Sequence, residues 1–72
     1  MTIYNNLNRT SGVFAYEYGA DYIRVQFSTG AMYLYTYQSA GSFNIEQMKI
    51  LAQRGYGLNS FINRVVKRLY VA

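Results

Sequence analysis

The sequence predicts an α+β domain, with a three-stranded antiparallel β-meander followed by two α-helices packed on one sheet face. From Val13 to Tyr37, apolar and polar residues alternate with period two, and two glycine-containing turns interrupt the pattern. After Gly41, apolar residues recur at helical spacing instead. Strands followed by helices share a core across one sheet face, which gives a two-layer sandwich.

Three strands are predicted, over Val13–Tyr18, Tyr22–Phe27 and Ala31–Tyr37. Each is six or seven residues long, within the usual range of about 3–10, and each carries β-branched or aromatic residues. The turns between them, Gly19–Asp21 and Ser28–Gly30, are short. Turns of this length join antiparallel neighbours, so the strands form a meander.

The second turn decides which face the tyrosines of the third strand occupy. Glycine is the third residue of the loop Ser28–Gly30, where a positive φ follows a type I turn. This register pairs Val25 with Tyr33 and places Tyr33 and Tyr35 on the core face. A two-residue loop would turn both rings to the opposite face and would require a positive φ at β-branched Thr29. We therefore expect Tyr33 and Tyr35 to be partly buried, with their hydroxyls at an edge or a pocket.

Two helices are predicted after the strands. The first opens at Asn44, where Gln47 completes a capping box, and it ends before Gly55, a suitable residue for a left-handed stop. The second helix has one apolar and one polar face. The apolar stripe is Leu58, Phe61, Ile62, Val65, Val66 and Leu69, and the other face carries Asn59, Asn63, Arg64, Lys67 and Arg68.

Composition bounds the class of protein. Seventy-two residues make a single domain, 1–72, with residues 1–10 as an N-terminal arm. The chain has no cysteine or histidine, so disulfides and the common metal ligands are not available to a small core. This favours a homo-oligomer, a dimer or higher. The net charge of +4 favours phosphate-bearing partners, either a nucleotide or nucleic acid.

Several classes are disfavoured. The only carboxylates are Glu17, Asp21 and Glu46, on a predicted strand, turn and helix start, which forms no acid–base pair. We therefore predict a protein that is not an enzyme, with no catalytic residues, no metal and no cofactor. No segment reaches the roughly 18 apolar residues of a membrane span, and no signal-peptide pattern is seen. We expect no membrane partner and a cytoplasmic location.

A glycine-flanked loop before the second predicted helix is a candidate phosphate site. Backbone N–H groups after Gly57 would lie at the positive end of the helix dipole, which favours an anion. Asn59 and Ser60 add side-chain donors, and Arg64 lies one turn further along. In this interpretation, replacing Arg64 by alanine lowers nucleotide affinity. The same glycines also suit helix caps.

Further candidates lie outside this loop. Tyr56 and Tyr70 would either stack a nucleobase or form partly buried edges with wet hydroxyls. Arg9 and Ser11 precede the first predicted strand, where they would suit a phosphate beside the sheet, or else belong to a flexible arm. The basic face of the second helix is either solvated or an RNA interface.

The order of several short motifs resembles the KTSC domain, a family named for the C-terminal domain of some lysyl-tRNA synthetases. The motifs are 27–30, 33–35, 51–52, 55–62 and the late Tyr70, so the resemblance spans roughly Ser11 to Tyr70. The family signature, Tyr-x-Tyr, maps onto Tyr33 and Tyr35, and Ser11 falls where the family has a serine. The resemblance implies an RNA-binding role. Small stand-alone members also look like phage proteins that counter host defences, some of which sequester a nucleotide signal.

Three functions therefore stay open. The first is a non-catalytic nucleotide-binding module that sequesters a cyclic nucleotide immune signal, in the host cytoplasm if the protein is phage-encoded. The second is an RNA- or single-strand-binding domain that uses the basic helix. The third is a structural module that forms homo-oligomers through tyrosine-rich edges, since Tyr and Arg are enriched at interfaces.

Overall fold

Four antiparallel strands and a set of mostly short helices make up the part of the chain that the computed structural model describes, residues 1–6 and 12–71. The strands are β1 Thr2–Ile3, β2 Val13–Tyr18, β3 Tyr22–Phe27 and β4 Met32–Thr36, in the spatial order β1-β2-β3-β4. The helices are α1 Tyr37–Ala40, α2 Ser42–Arg54 and α3 Leu58–Phe61, followed by a π-helical turn at Ile62–Val66. The α+β class, with an antiparallel sheet before the helices, is confirmed.

The predicted number of three strands is wrong, because β1 adds a fourth. Thr2 and Ile3 lie opposite Tyr16 and Ala15 of β2, in a segment that the sequence assigned to an N-terminal arm. The pairing continues at Tyr4, whose N–H donates to the carbonyl of Phe14 at 2.9 Å. Two residues are too few for a periodic pattern, so tertiary contacts decide that this segment is a strand.

The register between β3 and β4 is the one predicted from the turn. Val25 lies opposite Tyr33 and Ile23 lies opposite Tyr35, while the Phe27 N–H donates to the carbonyl of Ala31 at 2.8 Å. Gly30 has a φ of +96°. Glycine is required there because a side chain in this left-handed region is strained.

A β-bulge in β2 changes the side on which one aromatic ring lies. Val13 lies opposite Phe27, but the next paired residue is Ala15, opposite Gln26, so Phe14 is the extra residue. Beyond the bulge, Tyr16 returns to the face that the helices cover. Phe14 is left on the opposite face, which we call the open face, and is half exposed.

The core lies between the sheet and the helices. Its side chains come from every strand after β1 and from α1, α2, α3 and the π-helical turn, with Tyr4 closing one end. The most deeply buried large members are Tyr35, Ile23, Ile45, Met48, Leu58, Val25 and Val66. The core therefore contains Tyr35, and Tyr33 packs against it, partly buried.

The predicted start of the first helix is wrong. The strand ends at Thr36, whose hydroxyl accepts from the Ser39 N–H at 3.1 Å while the Ser39 hydroxyl accepts from the Thr36 N–H at 2.9 Å. This reciprocal capping box begins α1 at Tyr37. Asn44 is inside α2, and its side-chain amide donates to the carbonyl of Ala40. The predicted end is confirmed, since Gly55 caps α2 with a φ of +83°.

The second predicted helix is shorter than its apolar stripe. After α3 the backbone widens into the π-helical turn, and the helix stops at Lys67, which has a φ of +33°. Leu58, Ile62 and Val66, four residues apart, remain on the core side because a π turn holds more residues than an α turn. Val65 and Leu69 are each 44% exposed and do not join the core.

Candidate functional site

A cavity of about 420 Å³ lies where the turn between β3 and β4 meets the segment that follows the π-helical turn. We call it the tyrosine cavity. It is lined by Gly12, Phe27, Ser28, Thr29, Ala31, Tyr33, Tyr35, Ile62, Asn63, Lys67, Arg68 and Tyr70. Its volume falls within the range of about 300–1,000 Å³ that is usual for small-molecule sites.

Aromatic rings form one wall of this cavity. The rings of Tyr33 and Tyr70 are 4.5 Å apart between centroids, at an angle of 39°. Phe27 meets Tyr33 edge-on at 5.6 Å, and Tyr35 meets Tyr70 edge-on at 6.1 Å. Tyr70 remains 37% exposed. Ring contacts of this kind hold the wall in place and leave aromatic surface at the mouth of the cavity.

Tyr35 is the buried base of the wall, at 1% exposure. Burial raises the pKa of its phenol to about 12, and the neighbouring Tyr33 and Tyr70 phenols add to the rise. The hydroxyl is therefore neutral at physiological pH and can act only as a hydrogen-bond donor or acceptor.

The rest of the lining, which we call the cationic wall, includes cationic and polar residues. Lys67 and Arg68 line it side by side, next to Asn63, and both basic residues are exposed. Ser28 and Thr29 contribute hydroxyl groups from the β3–β4 turn. None of the residues that line the cavity is acidic. The wall can therefore bind an anion without a competing carboxylate.

An unusual backbone bend brings these cations and Tyr70 to the sheet. Lys67 has φ +33° and ψ −100°, a region that residues with a Cβ rarely occupy. Its N–H donates to the carbonyl of Ile62, and the Leu69 N–H donates to that of Val66, each at 2.6 Å. The chain then returns to β4, where the Val71 N–H donates to the Leu34 carbonyl at 2.6 Å. Backbone strain of this kind clusters at functional sites.

Of the residues predicted from the sequence, Tyr33, Tyr35 and Tyr70 line the cavity and Asn59 lies beside it. A Cβ atom added to Gly12, a lining residue, would be 3.6 Å from Oδ1 of Asn59. Arg9 and Ser11 lie outside the described residues. The cavity therefore includes both tyrosines that strand alternation placed on the core face of β4.

The other predicted residues do not line the cavity. The Tyr56 ring packs on the guanidinium of Arg54, with Cζ 4.2 Å from the ring centroid. Ser60 and Arg64 are exposed on the helical segment. Among the described residues, Tyr56, Ser60 and Arg64 are thus not part of the cavity lining.

Gly57 acts as a cap, with a φ of +90°, at the start of α3. The N–H of Leu58 that follows it donates to the hydroxyl of Tyr4 at 3.3 Å. Because α3 has only four residues and this amide is already paired, the loop offers less to a phosphate than the sequence suggested.

Lys67, Arg68 and Tyr70 join the cavity, although the sequence analysis did not group them with Tyr33. They were assigned to a helical face and to a separate stacking position, because the apolar stripe predicts a helix that continues through Leu69. A signal was present in the sequence: the two adjacent cations come directly before a Leu-Tyr pair. Only the bend at Lys67 shows that this segment turns back to the sheet.

A second cluster of charged and aromatic side chains surrounds Lys49. Its Nζ donates to the Ala20 carbonyl at 3.0 Å and to the Glu46 carboxylate at 2.8 Å, and it lies 5.4 Å from the Tyr18 ring centroid. The hydrogen bonds from Lys49 and then from Tyr37 lower the pKa of Glu46. The cluster ties α2 to the β2–β3 turn, and its charges are already paired.

Residues 1–6 and 12–71 were searched for metal-ligand clusters and for membrane-spanning helices. Within these ranges, no group of three or more His, Cys, Asp or Glu side chains is placed to hold a metal ion. None of the helices in them has the length and apolar character needed to cross a membrane.

The geometry thus combines an aromatic wall, two cations and neutral hydroxyl groups in one cavity. Comparison of the chain with protein-family models, with curated proteins and with solved structures finds no match, so the resemblance to the KTSC domain remains a prediction from its motifs.

Proposed function

We propose that this chain is a non-catalytic nucleotide-binding module and that the tyrosine cavity is its site. The observation that carries the proposal is the joint presence of Tyr33, Tyr70, Lys67 and Arg68 around one volume of about 420 Å³. A nucleotide has the matching parts, a planar base and a phosphate.

The aromatic wall supports binding of the base. Tyr33 and Tyr70 are both incompletely buried, so a planar ring can stack on the outer surface of the pair. Stacking of this type contributes about 1–3 kcal/mol per base when it is tested by truncation. Because every base has a π-face, the aromatic wall selects the class of ligand and the polar groups select among its members.

The cationic wall supports binding of the phosphate. Lys67 and Arg68 provide charged donors, and arginine can hold a phosphate with two parallel hydrogen bonds. Asn63, Ser28 and Thr29 are placed to provide neutral donors. A site with two cations and no acid favours an anionic ligand over a neutral nucleoside.

The biological role remains a proposal that rests on the motif resemblance. In it, the module sequesters a cyclic nucleotide immune signal, in the host cytoplasm if the chain is phage-encoded. Sequestration requires binding without turnover, which is compatible with a cavity whose lining has no acid–base pair. RNA binding is the competing function.

Calorimetric titration separates these functions. The purified chain is titrated with cyclic and linear nucleotides and with short RNAs, at about 50 and 200 mM salt. We expect heat from nucleotides, with affinity that falls little over this range. Affinity that grows with RNA length and falls steeply with salt would identify an RNA-binding domain, and no heat from any nucleotide would refute the proposal.

Two matched pairs of variants test the cavity itself. Replacing Tyr70 by leucine should weaken nucleotide binding about 10-fold to 100-fold, as loss of one stacking contact requires. Tyr56→Leu is its control, since Tyr56 is similarly exposed, at 41% against 37%, and does not line the cavity. Equal losses in both variants would place the base elsewhere.

The second pair concerns the phosphate. Arg68→Ala should lower the affinity for nucleotide. Arg64→Ala, four residues earlier and outside the lining, should leave that affinity nearly unchanged. The comparison is made at about 150 mM salt, because exposed charges are then screened beyond about 8 Å. The opposite ranking would support the site predicted from the sequence around Gly57 and Arg64.

A further inference from the structure

The open face of the sheet carries apolar side chains where an antiparallel sheet usually presents polar ones to water. Ile3, Phe14 and Met32 are 59%, 50% and 45% exposed. Leu34, opposite Arg24, is half-buried on the same face. These residues come from β1, β2 and β4, and β3 presents Arg24 and Gln26 between them. The apolar surface therefore lies on both sides of a polar central strand.

The charge on this face is balanced. Glu17 of β2 and Arg24 of β3 lie opposite each other and form an ion pair at 2.6 Å, with each side chain 38% exposed. The remaining basic residues of the described chain, Lys49, Arg54, Arg64, Lys67 and Arg68, belong to the helices and to the segment after them. Two copies can therefore approach through their open faces without bringing the net positive charge together.

The sheet edges are less suitable for association than the face. At β4, the Leu34 carbonyl already accepts from the Val71 N–H. At the other side of the sheet, β1 has only two residues. Short or covered edges resist pairing with a second chain. Within the sheet, the open face therefore suits a second copy better than the edges do.

We propose that the open face is the interface of a two-fold symmetric homodimer. In a two-fold interface the same patch is used on both copies. With the axis between the paired residues, Glu17 of one copy faces Arg24 of the other, and opposite charges meet. The tyrosine cavity lies on the helix-covered side of the sheet, so each copy keeps its cavity open to solvent. The proposal goes beyond nucleotide binding and does not depend on it.

The size of the face sets the expected strength. Three strands of five or six residues and the two-residue β1, about 4.8 Å apart and rising about 3.3 Å per residue, give roughly 300 Å² of flat area per copy. Two such faces bury an area at the low end of specific interfaces, below about 1,200 Å². We therefore expect a dimer that dissociates on dilution, with a dissociation constant in the micromolar range.

Sedimentation equilibrium without nucleotide tests this inference. Between about 1 μM and 1 mM protein, which brackets a micromolar constant, the mass should rise from 8.3 kDa toward twice that value. Phe14→Lys should weaken the dimer at least about 10-fold, because it brings like charges together across the two-fold axis. Phe43→Lys is the matched control: Phe43 is 77% exposed on α2, and its replacement should leave the dimer intact.

Met32→Lys provides a second variant, since Phe14 lies at a bulge and its replacement could affect folding, which circular dichroism reports. A wild-type chain that stays monomeric up to about 1 mM would overturn the proposal, as would equal weakening by Phe43→Lys. A species larger than a dimer would overturn the two-fold arrangement. The nucleotide titration is a separate measurement, so each proposal can fail alone.

Discussion

Replacing Tyr35 by phenylalanine should remove an alkaline instability of the wild-type chain. The Tyr35 ring is almost fully buried, and burial raises the pKa of its phenol from 10.0 to about 12. An unfolded chain loses this proton near pH 10, but the folded chain keeps it until about pH 12. Stability from this group is therefore complete below pH 10 and is lost as the pH rises toward 12.

The magnitude follows from the shift. Each pKa unit corresponds to about 1.4 kcal/mol, so two units correspond to about 3 kcal/mol. A domain of this size has roughly 3–5 kcal/mol of total stability. Ionisation of this single phenol thus removes a large share of the free energy of unfolding. Phenylalanine keeps the ring in the core and has no proton to lose.

Urea unfolding followed by circular dichroism at a series of pH values tests this reasoning. Near neutral pH, Tyr35→Phe and the wild type should differ by less than about 1 kcal/mol, the contribution of one hydrogen bond. Between pH 10 and 12, the variant should lose less stability than the wild type. Tyr56→Phe, which removes an exposed phenol, should follow the wild type. Parallel loss in the wild type and Tyr35→Phe would refute the role assigned to this ring.

Three further predictions concern stability and can be measured by the same urea titration at neutral pH. Tyr4→Phe should lower the free energy of unfolding by about 1–3 kcal/mol, because the Leu58 N–H loses its acceptor at a buried position; an unchanged value would show that water replaces the hydroxyl. Lys49→Met should lower it by about 1–2 kcal/mol through loss of the hydrogen bond to the Ala20 carbonyl, and no loss would mean that this tie is neutral. Lys67→Gly should raise the free energy of unfolding by about 1 kcal/mol, because glycine adopts the positive φ without strain, and it should weaken nucleotide binding. A lower free energy of unfolding would contradict the inferred strain.

The sequence predicts the sheet well where local chemistry determines it. Of the two possible registers, only the three-residue loop confines the positive φ to Gly30, whereas the other also requires it at β-branched Thr29. The position of Tyr33 and Tyr35 could therefore be derived from the turn. The stop at Gly55 follows from the same backbone property. In both cases a single residue satisfies a local requirement, and its neighbours need not be known.

Elements that depend on distant contacts were missed. Strand β1 is defined by its pairing with β2, and Phe14 leaves the core face because of a bulge that alternation does not signal. The predicted cap, Asn44, lies inside α2, which follows Gly41 and has no side-chain cap. The capping box that forms is at Thr36, at the start of α1, where Ser39 stands in the position that usually holds Glu or Gln.

The same reasoning explains which residues of the tyrosine cavity could be predicted. Tyr33 and Tyr35 were found because strand alternation places them, whereas Lys67 and Arg68 were assigned to a helical face. Their actual position depends on how many residues the preceding turn contains, and side-chain character alone does not specify this number.

The π-helical turn at Ile62–Val66 makes the chemistry of the cavity depend on chain length as well as on residue type. Successive residues of an α-helix are rotated by about 100°, so deleting one residue from this turn would turn the following side chains by about that angle. Lys67 and Arg68 would then leave the cavity although both residues are still present. Insertion or deletion of a single residue in this turn can thus move both cations into or out of the cavity, even though the rest of the chain is unchanged.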